Sequence, residues 1–163
     1  MTSIMQQDQS RIATTSLEEK KESLLAALRS MNNAAIAFSG GVDSALLAMA
    51  ARRALGDRAV ALTVRSPLTA RPDREDAGRI AEAIGIRHFY VDVDELAEDA
   101  FAANDPEKCY CCKKLRLSAM SGWAEQSGYG TVLDGSNADD ESDYRPGMKA
   151  VREFDNVRSP LLE

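Results

Sequence analysis

Apolar and polar positions follow two rhythms along the chain, and the switches between them mark its elements. Leu17, Leu24, Leu25 and Leu28 recur at helical spacing up to about Met31, and Ser16 with Glu19 fits a capping box. An amphipathic helix is therefore expected from Ser16. Residues 1–15 are rich in Gln, Ser and Thr without apolar periodicity, and are expected to form a mobile tail. The apolar run Ala34–Phe38 stops at Ser39-Gly40-Gly41, after which helical rhythm returns from Asp43 to Leu55 and ends at Gly56. This reads as strand, tight loop, helix.

The alternation repeats. A second strand is predicted over Ala59–Val64, a helix over Pro72–Ile84 ending at Gly85, and a third strand over Arg87–Val91. A short helix over Asp94–Ala102, a longer one over Cys112–Gln126 and a fourth strand over Gly130–Leu133 follow, the last opening onto the polar stretch Asp134–Asp143. Strands separated by helices predict parallel βαβ units in an α/β three-layer sandwich, with a parallel sheet of four or five strands and an incomplete fifth. Ligands of such sheets sit beyond the carboxyl ends of the strands, which directs attention to the loops after Phe38, Val64, Val91 and Leu133.

Composition narrows the class. The 163 residues, 44% apolar and 28% charged, suffice for one domain of ordinary size. With 20 Lys and Arg against 26 Asp and Glu, a nucleic-acid binder working by a broad basic surface is disfavoured. The longest apolar windows are far shorter than the roughly 20 residues of a membrane-spanning helix. The start of the chain lacks a hydrophobic signal core, and Cys109, Cys111 and Cys112 crowd together rather than forming a disulfide framework. A reducing cytoplasm is the expected compartment.

The loop Ser39-Gly40-Gly41-Val42-Asp43-Ser44 carries the sharpest chemistry. Glycines let backbone N–H groups approach an anion, the following helix presents its positive end, and the Ser39 and Ser44 hydroxyls add donors. Asp43 has the wrong charge for phosphate and suits a divalent cation held between phosphates, or fixing of the loop. The bland alternative is a helix start with turn glycines.

Cys109 and Cys112 share a face if their segment is helical, whereas Cys111 points about 100° away from Cys112. One CxxC is compatible with redox chemistry, half a zinc site, part of an iron–sulfur site, or plain packing. His88 reads as a packed strand residue. Lys113 suits neutralisation of a phosphate or adenylate, Arg116 is a weaker candidate, and Lys114 reads as solvated. In the acidic stretch, Asp134 and Asp140 are the carboxylates suited to Mg²⁺-linked or structural roles, and Arg145, before Pro-Gly, suits a bidentate grip on a carboxylate or phosphate.

The hexapeptide resembles the SGGxDS signature of the PP-loop ATP pyrophosphatases, which cleave ATP between the α and β phosphates. Together with CYxCKK, VLDGSNADDxSDYRPG and the final VRSPL, it makes the chain from about Leu25 onward similar to the LarE family of ATP-dependent sulfur transferases. That resemblance implies a Rossmann-like adenine nucleotide fold, with ATP and Mg²⁺ as cofactors and a small-molecule nucleotide substrate. The substrate would be pyridinium-3,5-biscarboxylate mononucleotide, adenylated and then thiolated on the way to a nickel-pincer nucleotide. Phe38 and Val64–Ser66 would flank adenosine, Ser39 to Ser44 with Asp134 and Gly135 would hold phosphate, and Asp43, Lys113 and Cys109 would act in catalysis. Asp43 and Asp140 would hold Mg²⁺, and Asp140 and Arg145 would meet the substrate. In some family members a cysteine matching Cys109 ligates a [4Fe-4S] cluster together with two cysteines of the region beyond SPL, and Cys112 is a further candidate ligand here. Family chains continue past SPL into a region with a sulfur-donating cysteine. Residues 16–163 are thus expected to be the ATP-binding domain alone, working as a homo-oligomer or with a partner supplying the rest. The alternatives are an amide-forming or tRNA-thiolating PP-loop ligase and a non-catalytic nucleotide-binding module.

Overall fold

A computed structural model of the chain describes residues 2–97, 99, 106–137 and 146–162. Five parallel strands form one sheet: β1 (Ala34–Ala37), β2 (Ala59–Arg65), β3 (Arg87–Asp92), β4 (Val132–Leu133) and β5 (Val157–Arg158). Their spatial order is β3-β2-β1-β4-β5. The α/β reading and the sparse fifth strand hold. Among the described residues, the helices flanking the sheet are α1 (Thr2–Arg29), α2 (Val42–Leu55), α3 (Arg71–Ile84), α4 (Lys108–Gln126) and α5 (Pro146–Val151).

The strands alternate faces, and two apolar layers result. Ala34, Ile36 and Phe38, with Ala59 and Ala61 of β2, pack against Leu28 of α1, Leu47, Ala48 and Ala51 of α2, and Ala77 and Ala81 of α3. Ala35, Val60, Leu62 and Val64 face the other way, onto Leu117, Met120 and Ala124 of α4 and Val151 of α5. Alanines make up much of the first layer where α2 and α3 meet the sheet.

Several boundaries differ from the sequence reading. Helix α1 begins at Thr2, which puts Ser16 and Glu19 inside it rather than at its cap. Helix α4 begins at Lys108, four residues before Cys112, so the cysteine segment is helical. In place of the start of the helix expected over Asp94–Ala102 there is a 3₁₀ turn at Glu95–Ala97; residues 98 and 100–102 lie outside the described residues. Helix α3 ends as its sequence indicates: Gly85, at φ +74°, donates to Ala81 O and Glu82 O.

Topology fixes the site. From β1 the chain steps outward through β2 to β3, with α2 and α3 on one face, then returns through α4 on the other face to β4, on the far side of β1. The direction of winding reverses between β1 and β4, which opens a crevice at their carboxyl ends.

Candidate functional site

A cavity of about 730 Å³ fills that crevice. Phe38 through Ser44 form one wall, Thr63, Val64 and Thr69 a second, and Asp134, Gly135 and Ser136 a third. Lys113 and Arg116 enter from α4, and Asp73 and Asp76 from α3. The structure therefore brings together Phe38, the whole glycine loop, Val64, Lys113, Asp134 and Gly135, as the sequence reading expected. Ser66 does not line the cavity: it is buried, its hydroxyl 3.1 Å from Thr69 Oγ1, and it accepts from Leu68 N. Asp140 and Arg145 lie outside the described residues.

The loop is tied to itself. Ser44 Oγ donates to Gly41 O at 3.1 Å and accepts from Ser39 N at 3.3 Å, while Gly41 N donates to Ser39 Oγ at 3.2 Å. Gly40 adopts φ +82°, and a Cβ there would lie 3.0 Å from the Ala77 Cα, so both its backbone angle and its seat on α3 require glycine. Gly41 begins α2 without a side-chain cap, which leaves the donors of the first helical turn to the cavity. Across the crevice, a Cβ on Gly135 would come within 3.3 Å of Ser44 N and Cα. The β4 loop thus rests directly on the backbone of the phosphate-type loop.

Asp134 is buried, 3% exposed, and Lys113 Nζ donates to its Oδ1 at 2.5 Å. Its Oδ2 accepts from Ser136 N at 3.1 Å and from the Ser136 hydroxyl. Burial alone would raise the Asp134 pKa, but the Lys113 charge and these hydrogen bonds outweigh it and hold the carboxyl below the ordinary carboxylate range. Asp43 is exposed on the cavity wall at the start of α2.

Cys109 and Cys112 lie beside this cavity, in a smaller cleft of about 310 Å³ with Lys108, Lys113 and Arg116. Cys109 is exposed, and burial pushes the Cys112 thiol up. Among the described residues, no three His, Cys, Asp or Glu side chains are placed to hold a metal ion.

Two features escaped the sequence reading. Glu95, on the 3₁₀ turn after β3, is 1% exposed; its Oε1 accepts from Arg116 Nε at 2.5 Å and from Cys112 Sγ at 3.5 Å. Burial pushes its pKa up, yet the nearby Ser66 hydroxyl, Arg116 and Cys112 together bring it below the ordinary value. By geometry the Ser66 bonds run to Thr69 and Leu68, and Glu95 Oε2 has no partner among the described residues. The second feature is a relay behind the loop. Thr63 Oγ1 donates to Phe38 O at 2.7 Å and so accepts from His88 Nε2, also at 2.7 Å, which assigns the ring proton to Nε2. Burial lowers the His88 pKa.

Comparison with known proteins agrees with this geometry. Residues 18–140 match the family model described as asparagine synthase. The chain is 37% identical over 148 residues to pyridinium-3,5-bisthiocarboxylic acid mononucleotide synthase of Lactiplantibacillus plantarum, covering 90% of this chain and 53% of that protein. It is 43% identical over 147 residues to an uncharacterized protein of Synechocystis sp., covering 90% of this chain and 54% of the relative. The chain thus spans about half the length of these relatives. Among solved structures, NMN synthetase from Francisella tularensis superposes with a TM-score of 0.67 at 21% identity, covering 90% of this chain and 64% of that one, which shows the shared fold.

Proposed function

This chain belongs to the asparagine synthase family, and on that footing we propose that its cavity binds Mg²⁺-ATP and adenylates a carboxylate of a pyridinium mononucleotide, in preparation for sulfur transfer. The observation that carries the reading is the meeting of the Ser39–Ser44 loop, the start of α2 and Lys113 in one crevice. The name of the Lactiplantibacillus plantarum relative, a bisthiocarboxylic acid mononucleotide synthase, supports the substrate, since its product bears two thiocarboxylates.

In this reading a substrate carboxylate oxygen attacks the α-phosphorus, and the bond from that phosphorus to the α–β bridging oxygen breaks. Pyrophosphate leaves with the electron pair, and a sulfur nucleophile then displaces AMP from the acyl carbon. The Ser39 and Ser44 hydroxyls and the first N–H groups of α2 hold phosphoryl oxygens. Lys113, kept in place by Asp134, offers its ammonium to the charge that develops on them. Phe38 and Val64 flank the adenosine.

Asp43 supplies a hard oxygen ligand for Mg²⁺, with Asp73 on the same cavity lining. So few carboxylates suit an ion that takes its remaining ligands from phosphate and water. When bound, the ion neutralises phosphate charge. Among the described residues no third ligand is placed beside Cys109 and Cys112, and Cys112 is engaged with Glu95, so these residues by themselves do not form a [4Fe-4S] site. The sulfur step and an oligomeric or partnered assembly belong to the same proposal, and the chain spans about half the length of these relatives.

Calorimetry and product analysis test the proposal. The folded chain is expected to bind Mg²⁺-ATP, and to release pyrophosphate while retaining AMP in the acyl adenylate only when the biscarboxylate mononucleotide is present. No binding at millimolar nucleotide would sink the ATP reading. Binding with pyrophosphate release triggered by ammonia and a different acid would favour an amide-forming ligase.

A further inference from the structure

Two arginines of this chain hold carboxylates in different ways. Arg65 engages Asp92 as a fork, Nε to Oδ1 at 2.6 Å and Nη2 to Oδ2 at 2.8 Å, so the pair satisfies itself. Arg116 makes one bond only, Nε to Glu95 Oε1 at 2.5 Å. Its two Nη groups have no partner among the described residues, and Arg116 lines both the large cavity and the cysteine cleft beside it.

Glu95 explains why the guanidinium is presented this way. Its carboxylate is buried at the carboxyl end of β3, where the 3₁₀ turn fixes its backbone. Cys112 and Arg116 stand four residues apart on α4, one turn above the other, and both donate to the same Oε1. Burying a carboxylate costs free energy that a single ion pair recovers only in part, and the orphaned Oε2 adds to the cost. A purely structural pair would gain by closing the fork. Here the fork is left open toward the cavity. Of the two described cations lining that cavity, Lys113 gives one of its three donors to Asp134, whereas Arg116 keeps a planar pair of Nη groups without a partner among the described residues.

We infer that Arg116 is an oxyanion-binding residue of this site: its paired Nη donors receive two oxygens of a phosphate or carboxylate, and Glu95, gripping Nε, is its positioning residue. The inference rests on the reading of the cavity as a nucleotide site. The oxyanion comes either from the nucleotide phosphates or from the acid to be activated, and both present the planar or near-planar oxygen pair that a guanidinium matches and an ammonium does not.

Calorimetry on the full chain separates the cases. The variants are R116K, which keeps the charge and loses the fork, and E95Q, which keeps the shape and loosens the grip on Nε. The probes are adenosine against AMP, and nicotinamide mononucleotide against nicotinate mononucleotide. Both variants are expected to lose about five- to twentyfold in affinity for the oxyanion-bearing member of at least one pair, with the other member of that pair unchanged within twofold. Selective loss for AMP assigns the phosphate, and selective loss for nicotinate mononucleotide assigns the carboxylate. A purely structural role would weaken all four probes together, or none, and either result overturns the inference while leaving nucleotide binding by the parent chain intact. If the parent chain binds none of the probes, the nucleotide reading falls and this inference with it. Thermal melting of R116K, expected within a few degrees of the parent, guards against misfolding.

Discussion

Replacing Lys113 by Met removes the ammonium that faces Asp134 and keeps most of the side chain's bulk. The Asp134 carboxylate is 3% exposed and would be left with hydrogen bonds from Ser136 alone. Breaking a buried pair by deleting one partner costs about 3–5 kcal/mol. The Lys113 side chain is 33% exposed, so water already screens part of the attraction, and about 2 kcal/mol is the expected loss. For a chain of this size that lowers the melting temperature by about 4–8 °C at pH 7. The pH dependence follows from the depressed Asp134 pKa. A carboxyl held below its unfolded value contributes stability that is present above that value, near 3.9, and is lost as pH falls through the folded one. Without Lys113 that depression is relieved, so the deficit of K113M should be full at pH 7 and narrow only as pH falls below about 4, toward the folded Asp134 pKa. The double variant K113M/D134N, which no longer buries an uncompensated charge, should recover part of the loss. Thermal melts of the three proteins between pH 7 and pH 3 are the assay. A deficit that is absent at pH 7, or that stays constant over the range, would refute the electrostatic account.

Three further outcomes are expected. Gly40→Ala places a Cβ at φ +82° and 3.0 Å from the Ala77 Cα, so it should cost about 1–3 kcal/mol in urea denaturation and weaken Mg²⁺-ATP binding in calorimetry. Thr63→Val leaves Phe38 O and His88 Nε2 unpaired behind the loop, and should cost about 1–3 kcal/mol on the same urea axis. His88 is held neutral by burial, with its pKa below the unfolded value near 6.5. Stability should therefore fall as pH drops below about 6.5, and His88→Gln should flatten that part of the urea-midpoint profile.

The glycine loop and the α/β alternation were legible because each depends on residues adjacent in sequence. Ser39 to Ser44 close their hydrogen bonds within six positions, and α2 and α3 end at Gly56 and Gly85, where the chain itself supplies the stop. Glu95 was not legible. An acidic residue in the polar stretch after β3 reads as solvated, and the partners that bury it, Cys112 and Arg116, lie 17 and 21 positions further on. The Lys113–Asp134 pair also spans 21 positions; sequence nominated both residues for the site without showing that each holds the other. Helix α1 begins at Thr2 although residues 1–15 lack an apolar stripe, and a period count has nothing to detect in such a segment.

The alanine layer under α2 and α3 makes the site hard to alter by gradual change. Ala48, Ala51, Ala77 and Ala81 are buried in one cluster with Ala59 and Ala61, and α2 carries the glycine loop at its start. Any larger side chain in that layer would lift the helix and re-aim the loop, so adaptation to a new substrate must come from elsewhere. The wall contributed by α4 is free of that constraint: Lys113 and Arg116 reach the cavity on long side chains that can be exchanged without moving a backbone. One side of the crevice is thus a fixed anvil common to any reaction the fold performs, and the other is the exchangeable tool.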